Sequence, residues 1–71
     1  MARSEEVKIR DEYITLGQFL KIVDLISSGG EAKAFLLENS ILINDELDNR
    51  RGRKLYKDDV LEFKGKKYKI C

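Results

Sequence analysis

Hydrophobic positions in this chain change their spacing along its length, and the changes divide it into a strand, two helices and a run of strands. Residues 6–10 alternate between polar and apolar, as a half-buried strand does. From Leu16 to Ile26, apolar residues recur at intervals of three and four, which is typical of one helix face. Thr15, with Gln18 three residues later, matches a capping box at the start of this helix. The pattern predicts a strand over 6–10 and a helix over Leu16–Ile26.

A glycine pair separates this helix from a second one. Gly29 and Gly30 can adopt positive φ angles without a steric penalty, so they permit a tight turn. Ser28, with Glu31 three residues later, matches a second capping box. We expect a second helix over 30–38. The residues expected to face the core are Ala32, Phe35 and Leu36.

Short apolar runs separated by turn residues fill the rest of the chain. Ile41–Ile43 leads into Asn44-Asp45, two residue types that tolerate the left-handed conformation of a turn. Lys64-Gly65 predicts a hairpin turn between strands over 60–63 and 66–70. Because strands and helices do not alternate one by one, the pattern predicts an α+β domain with two short helices packed on a small antiparallel or mixed sheet.

Composition limits the size and the chemistry of this domain. The chain has 71 residues, 42% of them hydrophobic, with no His and one Cys. A domain of this size buries only about 60% of the surface of its unfolded chain, so its core is small. The absence of His argues against zinc clusters and Ser/His or Cys/His catalysis. We expect a single monomeric domain over residues 1–71, with no catalytic residue, metal or cofactor.

The location of the protein also follows from composition. The first residues are polar, and the longest purely apolar run, residues 34–37, is too short to cross a membrane. One Cys cannot form a disulfide framework, which favours a reducing compartment. We therefore expect a cytoplasmic protein without a membrane anchor.

The net charge of +1 conceals an uneven distribution. Residues 1–46 carry 5 basic and 9 acidic side chains, whereas residues 47–71 carry 9 basic and 4 acidic ones. Four cations lie within one stretch of five residues, here called the arginine loop: Arg50, Arg51, Arg53 and Lys54. Arginine donors match phosphate oxygens, so this loop is either an anion-binding site or a solvated charged segment.

Two lysines and three tyrosines are further candidates. Lys21 and Lys33 lie on the predicted helices, where they either extend a basic surface or simply face solvent. Tyr13, Tyr56 and Tyr68 belong to types that stack on unpaired bases. Each tyrosine lies next to apolar positions of a predicted strand, so we expect all three to pack in the core or at its rim.

From Ile14 to Leu61, the order of these features resembles the RNA-binding S4 domain. The residues that carry the resemblance are Leu16 and Leu20 in the first helix, Ser27-Ser28 in the turn, Glu31-Ala32-Lys33 in the second helix, Ile41-Leu42-Ile43-Asn44 before the next turn, and Lys57-Asp58-Asp59-Val60 near the end. The glycine turn and the arginine loop resemble more closely the small stand-alone bacterial proteins of the YaaA type. The resemblance implies an S4-like fold with its alpha-L motif, a core over residues 14–61 and flanking strands over 6–10 and 66–70.

The same resemblance implies non-catalytic binding of structured RNA, either ribosomal or transfer RNA, with an association with ribosomes. In S4 domains the second helix and the following turn face the RNA, which assigns this role to Lys33 and Asn44. The arginine loop would belong to the basic patch of the stand-alone members, and Lys21 would border it. The second helix carries fewer cations here than is common in the family, so the arginine loop is expected to make most phosphate contacts. The expected RNA-contacting residues are Lys21, Lys33, Asn44, Arg50, Arg51, Arg53 and Lys54.

Two other functions stay open on the sequence alone. The arginine loop would also suit a protein-interaction adaptor that meets an acidic partner surface. The helix pair resembles a helix-turn-helix in outline, which would suit duplex DNA. DNA binding is the weaker of the two, because Lys33 is the one cation of the second helix.

Overall fold

The computed structural model describes residues 3–71, and the described chain contains seven β-strands, two α-helices and one 3₁₀ turn. The strands are β1 (Arg3–Val7), β2 (Tyr13–Thr15), β3 (Ile41–Ile43), β4 (Glu46–Asp48), β5 (Lys54–Tyr56), β6 (Val60–Phe63) and β7 (Lys66–Ile70). The helices are α1 (Leu16–Ile22) and α2 (Ala32–Glu38), and the 3₁₀ turn, Gly29–Glu31, directly precedes α2.

Five of the strands form one mixed sheet in the order β1-β7-β6-β3-β4. β1 runs parallel to β7, and every other neighbouring pair in this sheet is antiparallel. The two helices pack on this sheet, which confirms the predicted α+β class. β2 and β5 form a separate antiparallel ribbon, in which Ile14 lies opposite Leu55. The sequence pattern did not predict this pairing, because the two strands are short and far apart in the chain.

Apolar side chains from the helices, the sheet and the ribbon share one core. Phe19 of α1 contacts Tyr68 of β7 edge to face, with the ring centroids 5.1 Å apart. This geometry adds about 0.5–1.5 kcal/mol to the stabilisation from burial alone. The largest fully buried side chains are Leu16, Phe19, Leu20, Ile41, Ile43, Leu55, Leu61 and Ile70. Because Leu55 belongs to this core, it holds the end of the arginine loop against the rest of the molecule.

Both predicted turns of the sheet are confirmed. Asn44 and Asp45 have φ angles of 49° and 70°, so the turn between β3 and β4 uses the left-handed region, as their side-chain types allow. Lys64 and Gly65, between β6 and β7, have φ angles of 49° and 79°. These two positive φ values are typical of the two-residue hairpin turn that the sequence predicted.

The first strand lies earlier than predicted. β1 covers Arg3–Val7 instead of 6–10, because it pairs in parallel with β7 and that register ends at Val7 opposite Ile70. Beyond it the chain is still held by backbone hydrogen bonds: the Cys71 amide donates to the Val7 carbonyl and the Ile9 amide donates to the Cys71 carbonyl, both at 2.9 Å. The alternation over residues 6–10 therefore arises because Val7 is buried and Ile9 is partly buried. Of these five residues, only 6 and 7 belong to the strand.

α1 begins as predicted and ends four residues earlier. Its start has the complete capping box: the Gln18 amide donates to the Thr15 hydroxyl at 3.3 Å, and the Thr15 amide donates to the Gln18 side chain at 2.8 Å. After Ile22 the chain turns, and the Leu25 amide donates to the Leu20 carbonyl at 2.9 Å. Residues beyond the helix still reach the core through this turn, which is why the helical spacing continues past the helix.

α2 also differs from the prediction at its start. Gly29–Glu31 form a 3₁₀ turn, so the α-helix begins at Ala32 and not at residue 30. The expected capping box is wrong: the Ser28 side chain makes no capping hydrogen bond, and the Glu31 amide donates to the Ser28 carbonyl at 3.1 Å instead. The inward residues are as predicted, since Ala32 and Leu36 are buried and Phe35 is half-buried.

Neither α-helix within residues 3–71 has the length and apolar character needed to cross a bilayer.

Candidate nucleic-acid interface

The arginine loop is fixed to the first turn of α1 by its own backbone. The Leu16 amide donates to the Arg53 carbonyl at 2.8 Å, and the Gly17 amide donates to the Arg51 carbonyl at 3.0 Å. Amides in the first turn of a helix have no partner within the helix, so the loop supplies the acceptors that they lack. Within the loop, the Arg53 amide donates to the Arg50 carbonyl at 3.1 Å. Two helix amides therefore hold the loop in one position.

Gly17 allows the loop to approach α1 this closely. A Cβ atom at this position would lie 2.9 Å from Cγ of Arg51, which is closer than real Cβ contacts come, and 3.6 Å from Cβ of Ala32. The arginine loop, α1 and α2 thus meet around the bare backbone of Gly17. The sequence pattern does not mark Gly17, because a glycine inside a helical pattern gives no sign of its distant neighbours.

Asp48 pairs with two of the loop arginines. Its carboxylate accepts hydrogen bonds from Nη2 of Arg50 at 2.8 Å, from Nη1 of Arg53 at 2.9 Å and from the Arg50 backbone amide at 2.8 Å. The Asp48 side chain is only 8% exposed. We refer to Asp48, Arg50 and Arg53 as the Asp48 cluster. The cluster fixes the shape of the loop before any ligand binds.

The electrostatics of the Asp48 cluster follow from these hydrogen bonds. Side-chain donation from Arg50 holds the pKa of the Asp48 carboxyl well below its usual range, with smaller contributions from the Arg50 backbone amide and from Arg53, while burial acts in the opposite direction. The same hydrogen bond raises the pKa of Arg50. The role of Asp48 was not predicted from the sequence. The available signal was an acidic residue two positions before the first arginine of a cation-rich loop, where Asp also favours a turn.

Pairing divides the four loop cations into two kinds. Arg50 and Arg53 share Asp48, although Arg50 remains 72% exposed and Arg53 only 27%. Arg51 and Lys54 form no ion pair with any residue in the described part of the chain. Their charges are therefore available to an external anion, and Arg50 adds an exposed guanidinium beside them.

Arg51 projects to the side of the loop that faces α2. It lines a groove together with Lys33, Leu36, Leu37 and Asn49. The structure thus brings together two of the expected RNA-contacting residues, Lys33 and Arg51, which lie on different elements of the chain. Leu37 is 77% exposed, so this groove combines two cations with an apolar wall.

On the other side of the loop, a second cleft forms against the β2–β5 ribbon. The residues that line it are Arg50, Gly52, Arg53, Lys54, Tyr56 and Asp59. The arginine loop consequently presents cations on two sides, with Arg51 towards α2 and Lys54 towards the ribbon.

Asn44 shapes the turn after β3 through hydrogen bonds within the protein. Its side-chain amide donates to Asp59 at 3.0 Å, and its side-chain carbonyl accepts from the Val60 amide at 3.0 Å. Asp59 in turn accepts from the Tyr56 amide at 2.7 Å. The Asn44 turn is therefore connected to the wall of the ribbon cleft, and both ends of its amide are already in use.

Lys21 lies apart from the other expected contacts. It is exposed in the last turn of α1, whereas the arginine loop contacts the first turn of that helix. The tyrosines divide as well. Tyr68 is buried, in agreement with the expectation of packing, whereas Tyr13 and Tyr56 lie at the rim with 38% and 43% of their surface exposed.

Three lysines of residues 47–71 outside the arginine loop form ion pairs with acidic side chains. The described ion pairs outside the arginine loop are Lys66 with Glu5, Lys67 with Glu62 and Lys69 with Asp58, at 3.0, 3.9 and 4.0 Å. Glu62 and Asp58 lie within residues 47–71 themselves, whereas Glu5 lies within residues 1–46. Outside the arginine loop, Lys57 and Lys64 form no ion pair among the described residues, so the unpaired positive charge of residues 47–71 lies on the loop and on these two lysines.

Sequence similarity relates this chain to known proteins. The family described as the S4 domain matches residues 7–71, which include both helices and the arginine loop. The chain is also similar to a Bacillus subtilis (strain 168) protein named "Probable ribosome maturation protein RlbA", with 63% identity over 59 residues that cover 83% of each chain.

Proposed function

The chain belongs to the S4 domain family, and we propose that it is a non-catalytic RNA-binding protein that docks the arginine loop on the phosphate backbone of structured RNA. Ribosomal RNA is the first candidate and transfer RNA the second. The name of the Bacillus relative, a probable ribosome maturation protein, supports an association with ribosomes. Such a role would place this protein in the cytoplasm, where bacterial ribosomes are made.

The observation that carries the proposal is the preformed arginine loop, in which Arg51 and Lys54 form no ion pair with any described residue. Backbone hydrogen bonds to Leu16 and Gly17 and the ion pairs of Asp48 order the loop in the free protein. A loop that is already ordered loses little conformational entropy when it binds, so more of its interaction energy appears as affinity. Arg51 and Lys54 would then neutralise phosphates and release counterions from the RNA.

The groove between the loop and α2 extends this surface. Lys33 and Arg51 line it together, so an RNA backbone that follows the groove would meet cations from both elements. Asn44 supports the same surface indirectly, because its side chain fixes a turn that is joined to the ribbon cleft through Asp59. We assign Arg53 mainly to positioning, since its side chain is largely covered and bound to Asp48.

The test is RNA affinity as a function of salt. Arg51→Gln and Lys54→Gln should each weaken binding to a ribosomal RNA fragment and lower the slope of log affinity against log salt by about 1. Lys64→Gln is the matched control, because it removes an exposed lysine outside the loop that forms no ion pair among the described residues. Unchanged slopes in both loop variants would overturn the proposal. If duplex DNA displaces the ribosomal RNA fragment from the protein as effectively as unlabelled RNA does, the protein has no preference for RNA.

A protein-interaction adaptor is the second candidate, and the exposed Leu37 beside Lys33 and Arg51 favours it. An acidic protein segment with an apolar residue would suit this groove. Purification of the complex with and without ribonuclease separates the two functions. A partner that stays bound after RNA digestion would support the adaptor, whereas its loss would support RNA binding.

We also propose that the chain acts as one domain and as a monomer. Both helices, the sheet and the ribbon share a single core, so no part of the described chain forms a core of its own. Light scattering of the protein with an RNA fragment should then give a complex with one protein chain per RNA site.

A further inference from the structure

We propose that Tyr56, with Tyr13 and Lys54 beside it, forms a stacking site for one unpaired RNA nucleotide next to the phosphate-binding arginine loop. This inference rests on the proposed RNA-binding function and adds a distinct ligand: an extruded or single-stranded base, in addition to the phosphate backbone.

The register of the β2–β5 ribbon places these side chains together. Tyr13 lies opposite Tyr56 across the ribbon. Successive residues of a strand point to opposite faces, so Lys54 and Tyr56 share the outer face of β5 while Leu55 between them enters the core. Ile14, opposite Leu55, is buried on the same inner face. The outer face of the ribbon is therefore aromatic and cationic.

The geometry of the rings suits a base-stacking surface. The ring centroids of Tyr13 and Tyr56 lie 5.8 Å apart with the planes inclined at 50°. Nζ of Lys54 lies 5.0 Å from the centroid of the Tyr13 ring, in a cation–π contact. These contacts order Tyr13, and Tyr13 supports Tyr56 from one side. Tyr56 borders the ribbon cleft and keeps 43% of its surface exposed.

The cleft beside Tyr56 has the charge that a nucleotide needs. Arg50, Arg53 and Lys54 line it, so the phosphate of a stacked nucleotide would meet cations from the loop. Its one acidic lining residue is Asp59, whose two oxygens accept hydrogen bonds from Asn44 and from the Tyr56 amide. These hydrogen bonds occupy both oxygens of Asp59 and hold the Tyr56 backbone in place, so in this cleft one carboxylate faces three cations. Aromatic side chains near cations are a common means of binding unpaired bases, and such stacking is tolerant of base identity.

The experiment compares two RNA hairpins with the same stem, one fully paired and one with a single bulged adenosine. The wild-type protein should bind the bulged hairpin more tightly. Tyr56→Leu should remove this preference, with a loss of about ten-fold on the bulged hairpin and no change on the paired one. Tyr56→Phe keeps the ring and should retain the preference, which separates stacking from a structural effect. Thermal melting of each variant verifies that it is folded.

The outcomes separate this inference from the proposed function. If Arg51→Gln weakens both hairpins equally while Tyr56→Leu changes neither, phosphate docking stands and the stacking site is overturned. If Tyr56→Leu weakens only the bulged hairpin while Arg51→Gln changes the affinity for neither hairpin, the stacking site stands and phosphate contact by Arg51 is wrong. An equal loss on both hairpins in Tyr56→Leu, or no binding of either by the wild type, would also overturn the stacking site.

Discussion

The backbone amide of Gly17 donates a hydrogen bond of 3.0 Å to the carbonyl of Arg51. The Arg51 side chain also occupies the space that a Cβ atom on residue 17 would need. The start of α1 and the centre of the arginine loop therefore form one unit. If the loop binds phosphate, its position depends on a residue that carries neither charge nor side chain.

Gly17→Ala should displace the arginine loop. The new Cβ would lie 2.9 Å from Cγ of Arg51, close to the backbone of that residue, so the loop must move. Alanine favours a helix interior over glycine by about 1 kcal/mol, and only part of this gain applies at Gly17, the second residue of α1. We expect a several-fold loss of RNA affinity with a small change in melting temperature. Gly29→Ala is the control, because Gly29 lies outside the arginine loop, in the 3₁₀ turn, and a Cβ there meets nothing within 4 Å. Equal affinities of the two variants would contradict the coupling.

Asp48→Asn should loosen the loop from within. The neutral side chain can still accept from the Arg50 amide, but it no longer attracts the guanidinium groups of Arg50 and Arg53. Loss of a largely buried, charge-assisted partner costs about 1–3 kcal/mol. Urea denaturation should show a decrease in unfolding free energy of this size, and hydrogen exchange of the Gly17 amide should become faster. A variant as stable as the wild type would show that the Asp48 cluster does not order the loop.

The Asp48 cluster should also make stability depend on pH in the acidic range. The folded-state pKa of Asp48 is depressed by the hydrogen bond from Arg50, so the unfolded chain takes up this proton first as the pH falls. The ionised Asp48 carboxylate contributes fully to the free energy of unfolding above the ordinary Asp pKa of about 4. This contribution is lost as the pH falls towards the lower pKa of the folded state. Wild-type stability should therefore decrease more steeply below about pH 4 than that of Asp48→Asn. Parallel pH curves for the two proteins would contradict this assignment.

Asn44 should affect stability more than it affects RNA contact. Asn44→Gly removes both side-chain hydrogen bonds while it tolerates the φ angle of 49°. Asn44→Ala removes the same bonds and adds the strain of a left-handed residue, about 1 kcal/mol more. We expect the glycine variant to lose about 1–2 kcal/mol and the alanine variant to lose more, as measured by urea denaturation. A loss of RNA affinity in a folded Asn44→Gly variant would instead indicate direct contact by the side chain.

The sequence predicted the parts of the fold that depend on neighbouring residues. The Thr15–Gln18 capping box and the Asn44-Asp45 turn each involve residues within a few positions, and both formed as predicted. The end of α1 and the start of α2 were not predictable in the same way. The apolar spacing up to Ile26 is compatible both with a longer helix and with the observed turn, because Ile26 is buried in either conformation.

The order of apolar and polar residues predicts a small α+β domain with one cluster of cations and the pattern of an S4 domain. Which of those cations form ion pairs depends on the folded structure, because pairing requires a short distance between side chains and does not follow from composition. Asp48 occupies Arg50 and Arg53, whereas Arg51 and Lys54 remain unpaired among the described residues. The contact of Tyr13 with Tyr56 was also beyond the sequence, because it requires the pairing of two short strands that lie at opposite ends of the motif.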